Sequence, residues 1–427
     1  MIAALPFKFQ LPAIERLRYI NLVMSTDVVN WLYLDMNSFF ASVEQELNPT
    51  WRGRPVAVVP LLADSTSCIA VSYEGKAFGI KTGTKVGEAK RLCKQMIFVV
   101  GDHKNYIQYH QQIVEVVESC VPVDAVCSID EMACKLTGSQ SELARAMQLA
   151  QKIKTVIRQR VGSSLRCSIG LAVNRYLAKI AADMQKPDGL TVLRGEDLPG
   201  KLLTLKLRDL PGVGPKIEER LNRRGIFTLE KLLSLTMEEL RFAWGSVVGE
   251  EMFYLLRGKN CESKKTEQKS ISHSHVLPPA MRNKQDALMV LQKLTAKAAL
   301  RLRRDRLWSS RLEFVAKFSG RDPWHVGVNV SDTQDTAVFL TTIKEHWTHL
   351  PEGSVFAVGV VLSGLVQEEQ RLPSLFDDKR RESLTKTIDR VNERFGKTAL
   401  QYGALAESKS IVPLRIAFTR IPEEDEV

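Results

Sequence analysis

The sequence has no CxxC pair. Its seven cysteines are an odd number scattered from Cys68 to Cys261, which argues against a disulfide framework and a zinc knuckle and fits a reducing compartment. Nor is there a run of about eighteen apolar residues, so no membrane-spanning helix is expected. Ahead of residue 30, Lys8, Glu15, Arg16 and Arg18 interrupt the apolar stretches, breaking the core that a secretory signal needs. Tandem repeats and low-complexity tracts are absent too. Acids are in the minority: 49 Asp and Glu against 60 Lys and Arg leave a formal charge of +11, which favours a polyanionic partner such as nucleic acid. These absences predict a soluble, cytoplasmic protein with no membrane partner.

What is present is enough to build several cores. The 427 residues are 44% hydrophobic, and domains run to about 150 residues, so about three are expected. "VVNWLYLD" reads as a buried strand, and "NSFFASVEQEL" as a helix with Phe39, Val43 and Leu47 on one face, stopped at Asn48-Pro49. The strand "PVAVVP" follows, then a Gly-punctuated helix around Glu74 to Phe78 and the helix "VGEAKRLC", a small mixed subdomain. A helix near Tyr106 to Ser119 leads to two strands, "VDAVCS" and "EMACKL", flanking Ile129-Asp130. Helix Ser141 to Arg160, strand "RCSIGLAV" and helix Asn174 to Met184 complete an α/β unit. Leu198 to Asn260 is helical with glycine turns, and "ESKKTEQKS" has the polarity of a linker. Beyond it the order is β-α-β-β-α-β. The tail from Gln367 holds "RLPSLF" and a helix with Leu384, Ile388, Val391 and Phe395 on one face, spaced for docking onto its own domain or onto a partner.

Asp35 stands where an apolar strand stops, a place where a lone carboxylate is commonly a helix cap. "SIDEM" supplies two more acids, Asp130 and Glu131. Strand alternation would send neighbours to opposite faces, so a shared site requires a bend there. Three gathered carboxylates repel and drift toward protonation unless a cation neutralises them, and oxygen donors alone select a hard ion, Mg²⁺ first. A pair of such ions can activate an attacking hydroxyl and hold a leaving oxygen in phosphoryl transfer. For the phosphates, "SYEGKAFG" offers Tyr73 and Lys76 one helical turn apart, and "AKIAADMQKPDG" offers Lys179 and Lys186 two turns apart on one helix face. "DLPGVGPKIEERLNRRGI" has the form of a helix-hairpin-helix. Gly212 and Gly214 allow a tight turn, Pro215 suits the first helical position, and the NH groups there can grip a DNA phosphate beside Lys216, Arg220, Arg223 and Arg224.

"YLDMNSFFASVE", "SYEGKAFGI", "SIDEM" and "NRYLAKIAADMQKPDG" occur in the order and approximate spacing of the Y-family, or translesion, DNA polymerases. With "LPGVG", the chain resembles that family from about Trp31 to Leu365. The resemblance implies an α+β multidomain right hand: a palm (27–38 and 102–193), small fingers (39–101), a helical thumb carrying the helix-hairpin-helix (194–262), a linker (263–270) and a β-α-β-β-α-β little finger (271–366). An N-terminal extension (1–26) precedes these, and a tail (367–427) with a clamp-binding peptide and the docking helix follows; residues before Met24 are expected to be peripheral to catalysis. It further implies Asp35, Asp130 and Glu131, with the Met36 carbonyl, as ligands of two Mg²⁺ ions, Tyr73, Lys76 and Lys186 as triphosphate ligands, and Phe40 as a steric gate against ribonucleotides.

Two positions depart from the family pattern. Arg commonly stands where Lys76 is and a hydroxyl residue where Ala70 is, so weaker triphosphate binding is expected. Some bacterial SOS-mutagenesis polymerases are similar at both places, and their C-terminal extension resembles "IDRVNERFGKTALQYGA". "LPSLF" resembles a sliding-clamp peptide without its usual Gln, with Leu372, Leu375 and Phe376 as contacts. The function implied is low-fidelity, lesion-tolerant, template-directed DNA synthesis without proofreading. Its partners would be primed template DNA, deoxynucleoside triphosphates, a sliding clamp and SOS accessory proteins. A catalytically weak DNA-binding accessory protein that keeps the fold is the alternative. A palm-fold nucleotide cyclase would explain the acids but not the helix-hairpin-helix.

Overall fold

The apolar run from Trp31 forms the central strand of the larger sheet, β1 (Trp31–Met36). The computed structural model of the chain describes residues 28–261, 268–371, 379–396 and 399–408, and these fall into two units, one through residue 261 and one from residue 268. In the first unit β1 is followed by α1 (Phe39–Leu47), β2 (Val56–Val59), β3 (Ala70–Val71), α2 (Tyr73–Lys76), α3 (Val86–Leu92), β4 (Ile97–Val100) and α4 (His103–Glu118). Then come β5 (Ala125–Val126), β6 (Glu131–Lys135), α5 (Leu143–Arg160), β7 (Cys167–Ala172), α6 (Arg175–Met184) and β8 (Leu190–Leu193).

The larger sheet has the order β5-β6-β1-β7-β8, with β1 antiparallel to both neighbours and β7 parallel to β8. Leu32, Leu34 and Met36 enter one core with α1, α4 and α5, while Tyr33 enters a second core with α6, the period of two that a strand covered on both faces requires. α6 crosses β7 so closely that a Cβ at Gly170 would lie 2.0 Å from the Ala178 carbonyl oxygen. On α1, Phe39 and Val43 are buried as expected, but Leu47 is 40% exposed, because the helix runs past the edge of the core in its last turn. A three-stranded sheet, β3-β2-β4, has its own small core around Val59, Val71 and Ile80.

Four short helices close this unit: α7 (Pro215–Asn222), α8 (Leu229–Leu233), α9 (Met237–Trp244) and α10 (Val248–Leu255). Their Leu221, Leu232, Leu240 and Trp244 share the α6 core, and the Asn174 amide ties them down by donating to the carbonyls of Leu255 (2.8 Å) and Lys259 (3.0 Å).

The second unit runs β9 (Ser270–Val276), α11 (Lys284–Arg304), β10 (Leu307–Phe318), β11 (Arg321–Thr333), α12 (Thr336–Trp347), β12 (Val355–Gln367) and α13 (Lys379–Phe395). Its antiparallel sheet, β11-β10-β12-β9, packs Leu312, Phe314 and Val360 against Leu291, Leu294 and Phe339 of the helices. α13 docks on this unit with the expected apolar face only partly engaged, Ile388 and Val391 being half-buried. Leu384 and Phe395 are 59% and 69% exposed, whereas Arg303 donates to both carboxylate oxygens of Asp389 (2.5 and 2.9 Å) and Thr385 is buried. A paired guanidinium and carboxylate orient the helix more strictly than a sparse apolar stripe could. Leu372, Leu375 and Phe376, the N-terminal extension and most of the expected linker lie outside the described residues. No described helix is long and apolar enough to cross a membrane.

Candidate active site

The antiparallel register of β1 with β6 sets Asp35 directly opposite Glu131. Two carboxylates opposite each other are unfavourable in a sheet without a compensating charge. Before Glu131 the chain bends at Ser128–Asp130, the interruption that a site shared by consecutive acids requires. Contacts from within the bend and from two other elements help to hold it. Ser128 Oγ donates to Asp130 Oδ1 (2.6 Å), the Met36 N–H donates to the Asp130 carbonyl (2.8 Å), and His110 Nδ1 meets the Ile129 carbonyl at 2.7 Å. Since a carbonyl only accepts, Nδ1 of His110 carries the proton.

Compensating charge comes from α6 and the turn after it. Lys179 Nζ lies 2.6 Å from Asp35 Oδ2, 2.5 Å from Glu131 Oε1 and 3.2 Å from Asp183 Oδ2. Lys186 Nζ lies 2.7 Å from Asp35 Oδ1 and 2.8 Å from Asp183 Oδ1. Lys179 and Lys186, both read from the sequence as phosphate-side lysines, therefore lie against the carboxylates in this structure. Lys186 is not on the helix at all. α6 ends at Met184, because Pro187 disfavours helical backbone at the residue before it, and Lys186 reaches back from the turn.

Burial works against ionising Asp35, yet the ammonium groups of Lys179 and Lys186 hold its carboxyl below the usual range. Burial raises Asp130, against the Ser128 hydroxyl, and it raises Glu131, against Lys179; the Asp35 charge adds to both rises. The Tyr33 hydroxyl donates to Glu131 Oε2 (3.0 Å), and burial together with that carboxylate pushes the phenol far up. Burial opposes charge on Lys179, but the surrounding carboxylates prevail and raise it. All the acidic donors here are oxygens, a set suited to a hard divalent cation. Among the described residues no three His, Cys, Asp or Glu side chains form a ready cage, and Lys179 lies between Asp35 and Glu131. In donor chemistry Asp35, Asp130 and Glu131 fit such a cation.

Tyr73 and Lys76 reach the same neighbourhood. The Lys76 ammonium lies 4.2 Å from the Tyr73 ring centroid, and it is lowered by burial and by Lys186. Phe39 is buried in the core; Phe40 is half-buried, with its ring stacked on Tyr106.

A cleft of about 400 Å³ runs from Lys179 and Asp183 to the hairpin Leu210–Gly214. Gly212 has φ +86°, a left-handed conformation that favours glycine, and Gly214 caps α7 with Pro215 at the first helical position. Lys216 is exposed beside this hairpin. The three arginines expected to join it are exposed as well, each with a contact inside the protein. Arg220 donates to the Trp244 carbonyl (2.5 Å), Arg224 to that of Ala243 (3.4 Å), and Arg223 pairs with Glu219. The last carbonyls of α9 lack helical partners and carry partial negative charge, which attracts the two guanidinium groups.

Tyr33, Asp183 and Asn37 were not anticipated. Tyr33 stands two residues from Asp35 on one strand face, and Asp183 one helical turn from Lys179, so both spacings were legible. Asn37 acts across more than a hundred residues: its Oδ1 accepts from the Asp188 N–H (2.7 Å) and its Nδ2 donates to Ser168 Oγ (3.1 Å).

Residues 34–183 match the impB/mucB/samB family, residues 268–375 match that family's C-terminal domain, and residues 208–260 match a thumb domain described for DNA polymerase-iota. The chain is 36% identical to DNA polymerase IV of Moorella thermoacetica over 383 residues, spanning 86% of this chain and 94% of that one. It is 27% identical to DNA polymerase IV 1 of Bacillus subtilis over 406 residues, spanning 92% and 97%. Among solved structures, a Y-family DNA polymerase chimera of Dbh and Dpo4 superposes with a TM-score of 0.67 at 26% identity, covering 79% of this chain and 99% of that one. An insertion ternary complex of Dbh DNA polymerase, also 26% identical with the same coverage, gives 0.53. The chain belongs to the impB/mucB/samB family and is a Y-family DNA polymerase.

Proposed function

We propose that the protein extends the 3′ end of a primed DNA template by template-directed addition of deoxynucleotides, tolerates template damage, and copies with low fidelity and without proofreading. The observation that carries this reading is the cross-strand pair Asp35 and Glu131, with Asp130 beside it and Lys179 and Lys186 against it. On this reading the palm is 27–38 and 102–193, the fingers 39–101, the thumb 194–262 and the little finger 271–366.

The primer 3′ hydroxyl attacks the α-phosphorus, and the bond to pyrophosphate breaks. Asp35, Asp130 and Glu131, with the Met36 carbonyl, would hold two Mg²⁺ ions. When bound, such ions make the attacking hydroxyl more acidic and neutralise charge on the leaving group. Tyr73, Lys76 and Lys186 bind and orient the triphosphate, and Phe40 excludes a 2′ hydroxyl. Gly212 and Gly214 present backbone N–H groups to a DNA phosphate, with Lys216 beside them; such a grip is blind to sequence. Leu372, Leu375 and Phe376 belong to this reading as contacts to a sliding clamp, and SOS accessory proteins as further partners.

The test is primer extension on a primed template with Mg²⁺. Asp130→Ala and Glu131→Ala should each abolish nucleotide addition and leave binding to primed DNA within about twofold of the parent, because lysine and arginine contacts to phosphates supply the grip. Extension by either variant at near the parent rate would remove the carboxylates from the chemistry.

A further inference from the structure

Lys154 is a charged residue where the pattern of its helix calls for an apolar one. On α5, Ala146, Ala150, Ile153 and Ile157 form the buried stripe, and Lys154 lies within it, 5% exposed. A buried ammonium is costly unless its three donors are met. Here they are. Nζ donates to the Asp188 and Gly189 carbonyls, the second at 3.1 Å, and lies 3.0 Å from Asp188 Oδ1. One turn further along α5, Arg158 pairs with Asp188 Oδ2.

Asp188 belongs to the turn that follows α6, and that turn is tied on its other side as well. Its N–H donates to Asn37 Oδ1, two residues beyond Asp35, and the Gly189 N–H donates to Ser168 Oγ (3.2 Å). Ser168 Oγ in turn donates to the Gln185 carbonyl (3.1 Å). Asp188 is held at φ +58°, a left-handed conformation that Asp tolerates better than most residues. Between these anchors stands Lys186, whose ammonium reaches Asp35 and Asp183.

We propose that Lys154 and Arg158 are positioning residues: through Asp188 they fix the turn from Gln185 to Gly189 so that Lys186 is presented to the nucleotide triphosphate. This rests on Lys186 binding that triphosphate, as in the function proposed above. Neither Lys154 nor Arg158 is assigned a contact with substrate. Their effect on catalysis passes through Lys186.

Single-nucleotide insertion kinetics on a primed template test this with the full chain. Lys154→Met should raise the nucleotide KM about tenfold with kcat within about threefold, and Lys154→Arg, which keeps a charged donor, should recover most of the loss. In a Lys186→Met background, Lys154→Met should add less than about twofold, since a residue acting through Lys186 has nothing left to position. Independent multiplication of the two effects, or an unchanged KM in folded Lys154→Met, would overturn the clamp while leaving the triphosphate role of Lys186 intact. An unchanged KM in Lys186→Met itself would overturn both. Should Lys154→Met not fold, Arg158→Gln at the half-exposed rim takes its place, with a KM rise of about threefold expected and equality with the parent overturning the proposal.

Discussion

The ring of Phe40 lies flat on that of Tyr106, with centroids 4.3 Å apart and planes inclined by 12°. Tyr106 is fully buried and donates to Glu44 Oε1 (2.7 Å), so it cannot yield when something presses on Phe40 from the other side. On the proposed reading, a ring backed in this way discriminates against a 2′ hydroxyl by exclusion. Phe40→Ala should therefore retain DNA synthesis and gain ribonucleotide incorporation at least about tenfold, about 1.4 kcal/mol of lost discrimination. Competitive insertion of ribo- and deoxynucleotides measures it; an unchanged ratio in a folded variant would place the gate elsewhere.

His110 stands behind the bend at Ser128–Asp130, and burial pushes its pKa below the ordinary 6.5. The unfolded chain then binds the extra proton more readily than the folded one between 6.5 and that lower value. Stability should rise with pH across this window and fall on acidification through it, by up to about 1.4 kcal/mol per pH unit. His110→Gln should flatten that dependence in urea unfolding at pH 5.5 and 7.5, and an equal slope in both proteins would rule out His110 as its source.

Lys76 offers one point charge where the family commonly has a fork. Its ammonium already lies over the Tyr73 ring, a position a guanidinium also accepts. Lys76→Arg should lower the nucleotide KM about threefold through a bidentate contact. A KM that stays level or rises would show that the site is shaped around lysine.

Asp389 helps to orient α13, beside the Arg381–Asp335 pair (2.9 Å). Without it, Arg303, only 9% exposed, keeps the Gln334 carbonyl and Thr336 Oγ1 but loses its carboxylate. Asp389→Ala should loosen α13 by about 3 kcal/mol, read as faster hydrogen exchange confined to 379–395. Unchanged exchange there would mean that other contacts suffice.

Local pattern carries a long way in this chain. The order of strands and helices, the β-α-β-β-α-β run of the second unit, the glycine hairpin before α7 and the bend between Ser128 and Glu131 are each legible from residues a few positions apart, because backbone propensity and side-chain period act over that range. The same reasoning stops at the edge of each element. It places Leu47 on a buried face because helix spacing says nothing of where the core ends, and it sets Lys186 on the face of α6 although the helix ends at Met184, as its own bounds require, and the lysine belongs to the following turn.

The chemistry of the site was settled by register and packing. Antiparallel pairing of β1 with β6 brings Asp35 against Glu131 from 96 positions away, and α6 delivers Lys179 to both as a counter-ion. Carbonyls at the end of α9 accept from Arg220 and Arg224, and a lysine in the middle of α5 is buried because two carbonyls of a distant turn meet it. By itself the sequence determined which residues could do chemistry and on which element each stands. Which of them share a charge, a hydrogen bond or a pocket was decided by tertiary structure alone, because electrostatic and packing energies depend on distance in space and are blind to distance along the chain.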